Sequence, residues 1–199
     1  MEITKTHEFF TKIYGSSPAK GYQGVLEDYI GKEVDKDLLS FADQNKKKAQ
    51  TIEDMVVDIL SLFHRDKDGS PIIGNWMARK CMIDTGEAIF NAVKNKDHPK
   101  KALIPMAIKM VEPIHIRVNN GGPVEKPDGI DTYAVTITKP TKRSFFKAYE
   151  YINAGVTAEC TYYIDEDIIS EELANYWIEK SGLVGWGAFR ERFGKFSIV

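Results

Sequence analysis

Apolar residues recur at helical spacing in the first half of the chain and alternate with polar ones in the second. Ile52, Met55, Val56, Ile59, Leu60 and Phe63 predict a helix ending near Arg65. Thr51 stands at its N-cap, with Glu53 and Asp54 in the first turn, where negative charge suits the free amides. Asp66-Lys-Asp-Gly-Ser-Pro71 has the composition of a turn. A second helix is predicted from Gly74-Asn75 to about Lys94, with Trp76, Met77, Cys81 and Ile83 in its first half and Ala88, Ile89, Ala92 and Val93 in its second. Gly86 inside it costs about 1 kcal/mol relative to alanine. Upstream, Phe9, Phe10, Ile13 and Tyr14 also fall at helical spacing before a stop at Gly15-Ser-Ser-Pro18.

The rest reads as sheet with one more helix. In Pro113-Ile-His-Ile-Arg-Val118, His115 and Arg117 share the face opposite Ile114, Ile116 and Val118. Asn119 to Gly129 is a turn-rich connection to a strand carrying Tyr133, Val135 and Ile137. Phe145–Ile152 and Val156–Ile164 flank Asn153-Ala-Gly155 as a hairpin, with Val156, Ala158, Cys160, Tyr162 and Ile164 on one face. Ser170 caps a helix bearing Glu171 and Glu172, stopped by Gly182, and Lys195–Val199 can form a last strand. The pattern predicts an α+β fold: a partly helical N-terminal extension over 1–50 and one α+β domain over 51–199.

Composition narrows the function classes. The 199 residues are 43% hydrophobic and 28% charged, as in ordinary globular proteins. With 27 basic against 29 acidic side chains, net charge −2, a polynucleotide-binding surface has to be local. No stretch nears the roughly 20 apolar residues of a membrane span, and no apolar run follows the first lysine as in a signal peptide. Cys81 and Cys160 form no disulfide framework or zinc spacing. The expectation is a soluble, cytoplasmic protein with no membrane partner.

Enzyme chemistry leaves little trace. His7, His64, His98 and His115 are too scattered for a linear metal motif, and neither a nucleophile elbow nor a phosphate-binding Walker loop is present. Asp66-x-Asp68-Gly69 starts like a calcium loop but has Pro71 at the sixth position and Met77 at the twelfth. Asp165, Glu166, Asp167, Glu171 and Glu172 could hold a metal ion, as in a metal-dependent nuclease, but read first as a helix-capping, solvated turn. No catalytic residue, metal or cofactor is expected. Local charge says more: Lys139, Lys142, Arg143 and Lys147 interleave with Phe145, Phe146 and Tyr149 with no acid among them. Cations that neutralise phosphates beside rings that stack on bases are what single-strand binding needs, although a solvated loop before an ordinary strand has the same composition. The segment from Gly182 to Phe196 repeats the mixture, with Arg190, Arg192 and Lys195 among Trp186, Phe189 and Phe193; a glycine loop placing the last strand is its other reading.

A helix, a glycine-rich aromatic and basic turn and a short terminal strand resemble the end of the RAMP proteins, the Cas7/Cas5-like superfamily of CRISPR effector subunits. Ser70-Pro-Ile-Ile-Gly-Asn-Trp-Met-Ala-Arg79-Lys80 looks like that family's P-x-x-P-G-S-S-L-K-G approach to its first long helix, with Ile73 for proline and Asn75-Trp76 for the serines. The tail is also similar to that of small phage-encoded proteins with a Cas7-like layout. The resemblance spans residues 70–199 and implies an RRM-like, ferredoxin-type antiparallel sheet packed with helices, although its first strand is not evident in the sequence. It also implies a polynucleotide-facing surface, and together with the charge and aromatic pattern gives the expectation of a non-enzymatic protein of viral or mobile-element type that binds single-stranded RNA or DNA through Arg79, Lys80, Lys139, Lys142, Arg143, Lys147, Trp186, Phe189, Arg190 and Arg192. Other copies of the chain or a nucleoprotein complex are further expected partners. The alternative is a Cas-subunit-like interaction module that inhibits or scaffolds such a complex.

Overall fold

A computed structural model describes residues 1–18, 60–92, 98–109, 114–118, 121–137, 143–188 and 192–199, with backbone alone for 18, 134–137 and 143–146. The chain divides into two compact units, one of Met1–Tyr14, His64–Pro127 and Ile152–Val199, the other of Gly15–Phe63 and Asp128–Tyr151. The boundary expected between residues 50 and 51 lies outside the described residues.

The first unit is built on an antiparallel sheet. Its strands are β1 (Glu2–Phe9), β5 (His64–Arg65), β6 (Pro71–Ile73), β7 (Ile108–Lys109), β8 (Ile114–Val118), β11 (Val156–Ile164) and β12 (Phe196–Ile198). Spatially they run β12-β1-β11-β8-β6-β5, with β7 also on β11. The helices α1 (Asn75–Ala92), α2 (Ile104–Ala107) and α3 (Glu171–Val184) complete the unit. In chain order β1, α1, β8, β11, α3 and β12 alternate so that β12-β1-β11-β8 are neighbours, which is compatible with a ferredoxin-like layout. The architecture is α+β with a mostly antiparallel open sheet.

The alternation of β11 places Val156, Ala158, Cys160, Tyr162 and Ile164 in the core, as expected from the sequence. Beside it Ile114 and Ile116 of β8 and Ile3, His7 and Phe9 of β1 are buried. Residues 2–9 are thus an interior strand, between β12 and β11, and the helical spacing of Phe9, Phe10, Ile13 and Tyr14 does not form a helix, since Ile13–Tyr14 is a short strand, β2. The buried histidine masks β1's period: it donates from Nδ1 to the Ala158 carbonyl (3.2 Å) and accepts at Nε2 from the Tyr162 hydroxyl (2.8 Å). Burial lowers its pKa to about 4, against the raising effect of the Ala158 and Lys5 carbonyls.

Glycine decides the packing at two points, one between helices and one in the tail. A β-carbon on Gly86 would sit 2.8 Å from the Trp177 ring, so α1 passes the fully buried tryptophan of α3 only because that position has no side chain. Close approach therefore explains a residue that helix propensity alone disfavours. Ser170 caps α3 by accepting the Leu173 amide (3.3 Å), and the helix runs past Gly182 to end at Gly185, φ +84. In the tail, Gly194 adopts φ +67, and a β-carbon there would collide with the Trp186 carbonyl oxygen. Around this turn Trp186 enters the core against His7, Phe9 and Phe196, at ring separations of 4.6, 5.5 and 5.0 Å.

The second unit holds β3 (Ser17–Pro18), β4 (Leu60–Leu62), β9 (Gly129–Ile137) and β10 (Arg143–Ile152). β9 and β10 form a nine-pair antiparallel ladder from Tyr151 opposite Gly129 to Arg143 opposite Ile137. β4 adds parallel to β10, Leu60 opposite Ala148, and β3 pairs antiparallel with β4. This corrects the helix expected to end near Arg65: Leu60–Leu62 and His64–Arg65 are strands, and residues 51–59 lie outside the described set. All of β4 is buried, Ser61 included, and three residues, Leu-Ser-Leu, are too few for their alternation to stand out from a helix face.

Candidate nucleic-acid interface

The two basic and aromatic segments of the sequence meet different fates. In the first, the β9–β10 ribbon brings residues 143–149 into register with 131–137. Arg143, Phe145, Lys147 and Tyr149 occupy alternate positions of β10, opposite Ile137, Val135, Tyr133 and Asp131. Lys147 is half-buried and makes no ion pair among the described residues. The Tyr133 and Tyr149 rings meet at 6.4 Å across the ladder, and burial raises the Tyr149 phenol above its usual pKa. The strand's one acid, Glu150, lies at the other parity, fully buried, and accepts the Phe63 amide at 2.7 Å. Lys139 and Lys142, expected at the ribbon's tip, lie outside the described residues.

In the tail, Trp186 is fully buried, which removes it as a stacking surface: its ring packs on the histidine and phenylalanines of the sheet. Lys195 donates its ammonium to the Leu183 and Val184 carbonyls and so satisfies the end of α3. Arg192 is exposed and without an ion pair among the described residues, whereas Phe189 and Arg190 lie outside them. On α1, Arg79 is turned inward: Nε donates to the Ile108 carbonyl (2.7 Å) and a terminal nitrogen to that of Pro105, so the guanidinium ties the helix to α2 and β7. Lys80 is exposed but paired with Asp84 one turn on.

A third cluster escaped the sequence reading. On the open side of the first unit's sheet, Glu2, Ile114, His115, Arg117, Glu159, Thr161 and Tyr163 line a groove of about 370 Å³. The Asp66 carboxylate fixes its histidine: Oδ1 accepts the amides of Asp68 and Ser70, each at 2.9 Å, and Oδ2 lies 3.4 Å from His115 Nδ1. The shared face of His115 and Arg117 was a signal in the sequence; the 49 residues separating Asp66 from its partner were not bridged by any motif. Glu2, Glu159 and Arg117 make no ion pairs among the described residues. The acidic turn after β11 is occupied locally, Asp165 Oδ1 accepting the Asp167 amide at 3.1 Å and Glu171 and Glu172 standing in the first turn of α3. No three His, Cys, Asp or Glu side chains among the described residues gather closely enough to hold a metal ion. No helix among them is long and apolar enough to cross a membrane. Neither a family model nor a curated protein matches the chain.

Proposed function

We propose that this is a non-enzymatic, RRM-like protein of the Cas7/Cas5-like kind that holds single-stranded RNA or DNA through backbone charge and aromatic contact. The observation that carries the reading is the β9–β10 ribbon: the basic positions 143 and 147 alternate with aromatic ones along a single strand, and Lys147 has no carboxylate partner among the described residues. The strand's own acid, Glu150, is buried at the opposite parity, so the Lys147 ammonium is left to water or to an anion brought from outside. Single strands suit such a surface because phosphates meet the ammonium and guanidinium groups while bases lie on rings without regard to sequence. In the sequence Lys139 and Lys142 continue the charged run before Arg143, and Arg190 and Arg192 add cations in the tail segment.

Fluorescence anisotropy with labelled single-stranded RNA, single-stranded DNA and duplex DNA across a salt series tests this. Single strands should bind more tightly than duplex, with affinity falling steeply as salt rises. Arg143→Ala with Lys147→Ala should reduce the slope of log K against log salt by about 1.4, at roughly 0.7 per phosphate contact. No binding at low salt would overturn the reading in favour of a protein partner.

A further inference from the structure

We infer that the groove on the open sheet face recognises a single guanine nucleotide. The inference rests on the nucleic-acid reading for its ligand class but on a different set of residues, in the other compact unit. Its chemistry is asymmetric. Glu159 and Glu2 offer acceptor oxygens only; Arg117 is a permanent cation; Tyr163 supplies a ring and Thr161 a hydroxyl already engaged with that of Thr4 at 2.9 Å. Asp66 engages His115 at Nδ1 and is itself held by two backbone amides, which leaves Nε2 as the ring atom free for a ligand.

A molecule that satisfies this set must present N–H donors toward the carboxylates, an anion toward the arginine and a flat surface between them. Of the four common nucleotides, the guanine one does so best. Its N1–H and N2 amino groups are adjacent, and one carboxylate takes both. Adenine and cytosine put a ring acceptor beside the amino group, which a carboxylate repels, and the N3–H of uracil is flanked by two carbonyls. A phosphate completes the match by pairing with the guanidinium of Arg117. The groove's volume, about 370 Å³, falls in the range of small-ligand sites. Among the described residues Glu159 and Arg117 face one groove without an ion pair to each other or to another side chain, as a ligand bridging them requires.

The same chemistry is offered by a free mononucleotide and by a guanine within a strand, and the experiment separates the two. Calorimetric titration with GMP, AMP, CMP and UMP is run beside anisotropy of an adenine oligomer with and without one central guanine. GMP should bind about tenfold or more tightly than the other three. Glu159→Gln should erase that preference, and Arg117→Ala should weaken all four nucleotides alike. Preference for GMP alone identifies the free nucleotide as the source; preference carried into the oligomer identifies the strand. Lys147→Ala should weaken the oligomer while leaving GMP unchanged, so loss of strand binding with GMP affinity intact is a failure of the ribbon and not of the groove. Absence of saturable GMP binding at millimolar concentration, or a guanine preference that survives Glu159→Gln, would overturn the inference.

Discussion

The β9–β10 ribbon and the C-terminal tail are built from the same kinds of residue, cations set among aromatic rings, yet the fold uses them in opposite ways. In the tail, glycine at 185, 187 and 194 lets the backbone take positive φ and fold onto the sheet, which carries Trp186 into the core and leaves Lys195 capping a helix. The ribbon has only Gly129, at its base, so its ladder runs extended and keeps alternate residues at fixed positions. Composition alone therefore does not define a binding surface. What separates the two segments is whether the backbone can turn back on itself.

The sharpest way to break this comparison is to remove the buried ring. Trp186→Ala should cost about 3–5 kcal/mol, as large-to-small changes at fully buried aromatics do, measured by urea unfolding. A loss below about 1 kcal/mol would return the tryptophan to the surface and make the tail a second ribbon.

Acid should attack the same core through His7. Its folded pKa, about 4, lies below the unfolded value near 6.5, so the unfolded chain binds a proton that the folded chain refuses. This contribution is untouched above pH 6.5 and is lost progressively as pH falls toward 4, a decline of roughly 3 kcal/mol. Unfolding free energies measured at pH 7.5, 6, 5 and 4 should trace it, and His7→Phe should flatten this part of the curve. An unchanged pH profile in that variant would place the titration elsewhere.

The smallest expected effect is at Arg192, exposed and six residues beyond the buried ring. Arg192→Ala should shift stability by less than about 0.5 kcal/mol in the same unfolding assay. A larger change would mean that the tail's cations, like Lys195, serve the fold.

Legibility in the sequence followed where each element's stability comes from. β11 was readable because its inward positions are all apolar or tyrosine and its partners cover one side; β8 and the Ser170 cap were readable for equally local reasons. β1 was not, because its inward series of Ile3, Lys5, His7 and Phe9 is half polar, and the buried histidine is tolerated only through Ala158 and Tyr162, some 150 residues away. The strand at Leu60–Leu62 was hidden likewise: Leu60 and Phe63 fit a helix face as well as a strand, and pairing with Ala148 and Tyr149 decides the matter. Of the candidate interface, the cations of the ribbon were visible as a run without acids. The engagement of Arg79 and the burial of Trp186 depended on neighbours that no spacing rule brings together. The same holds for Asp66 and His115, each unremarkable in its own segment.

The position of β1 also sets a timetable. Its neighbours are β11 and β12, so His7 lies opposite Ala158 on one side and Ile198 on the other. A chain that must close loops of some 150 and 190 residues before this interior strand is sandwiched folds late and slowly. Until then both edges of that strand, and the apolar residues around His7, are open to any other extended segment. The protein is most vulnerable to mispairing not when it is old and damaged but in the interval between synthesis and the arrival of its last strand.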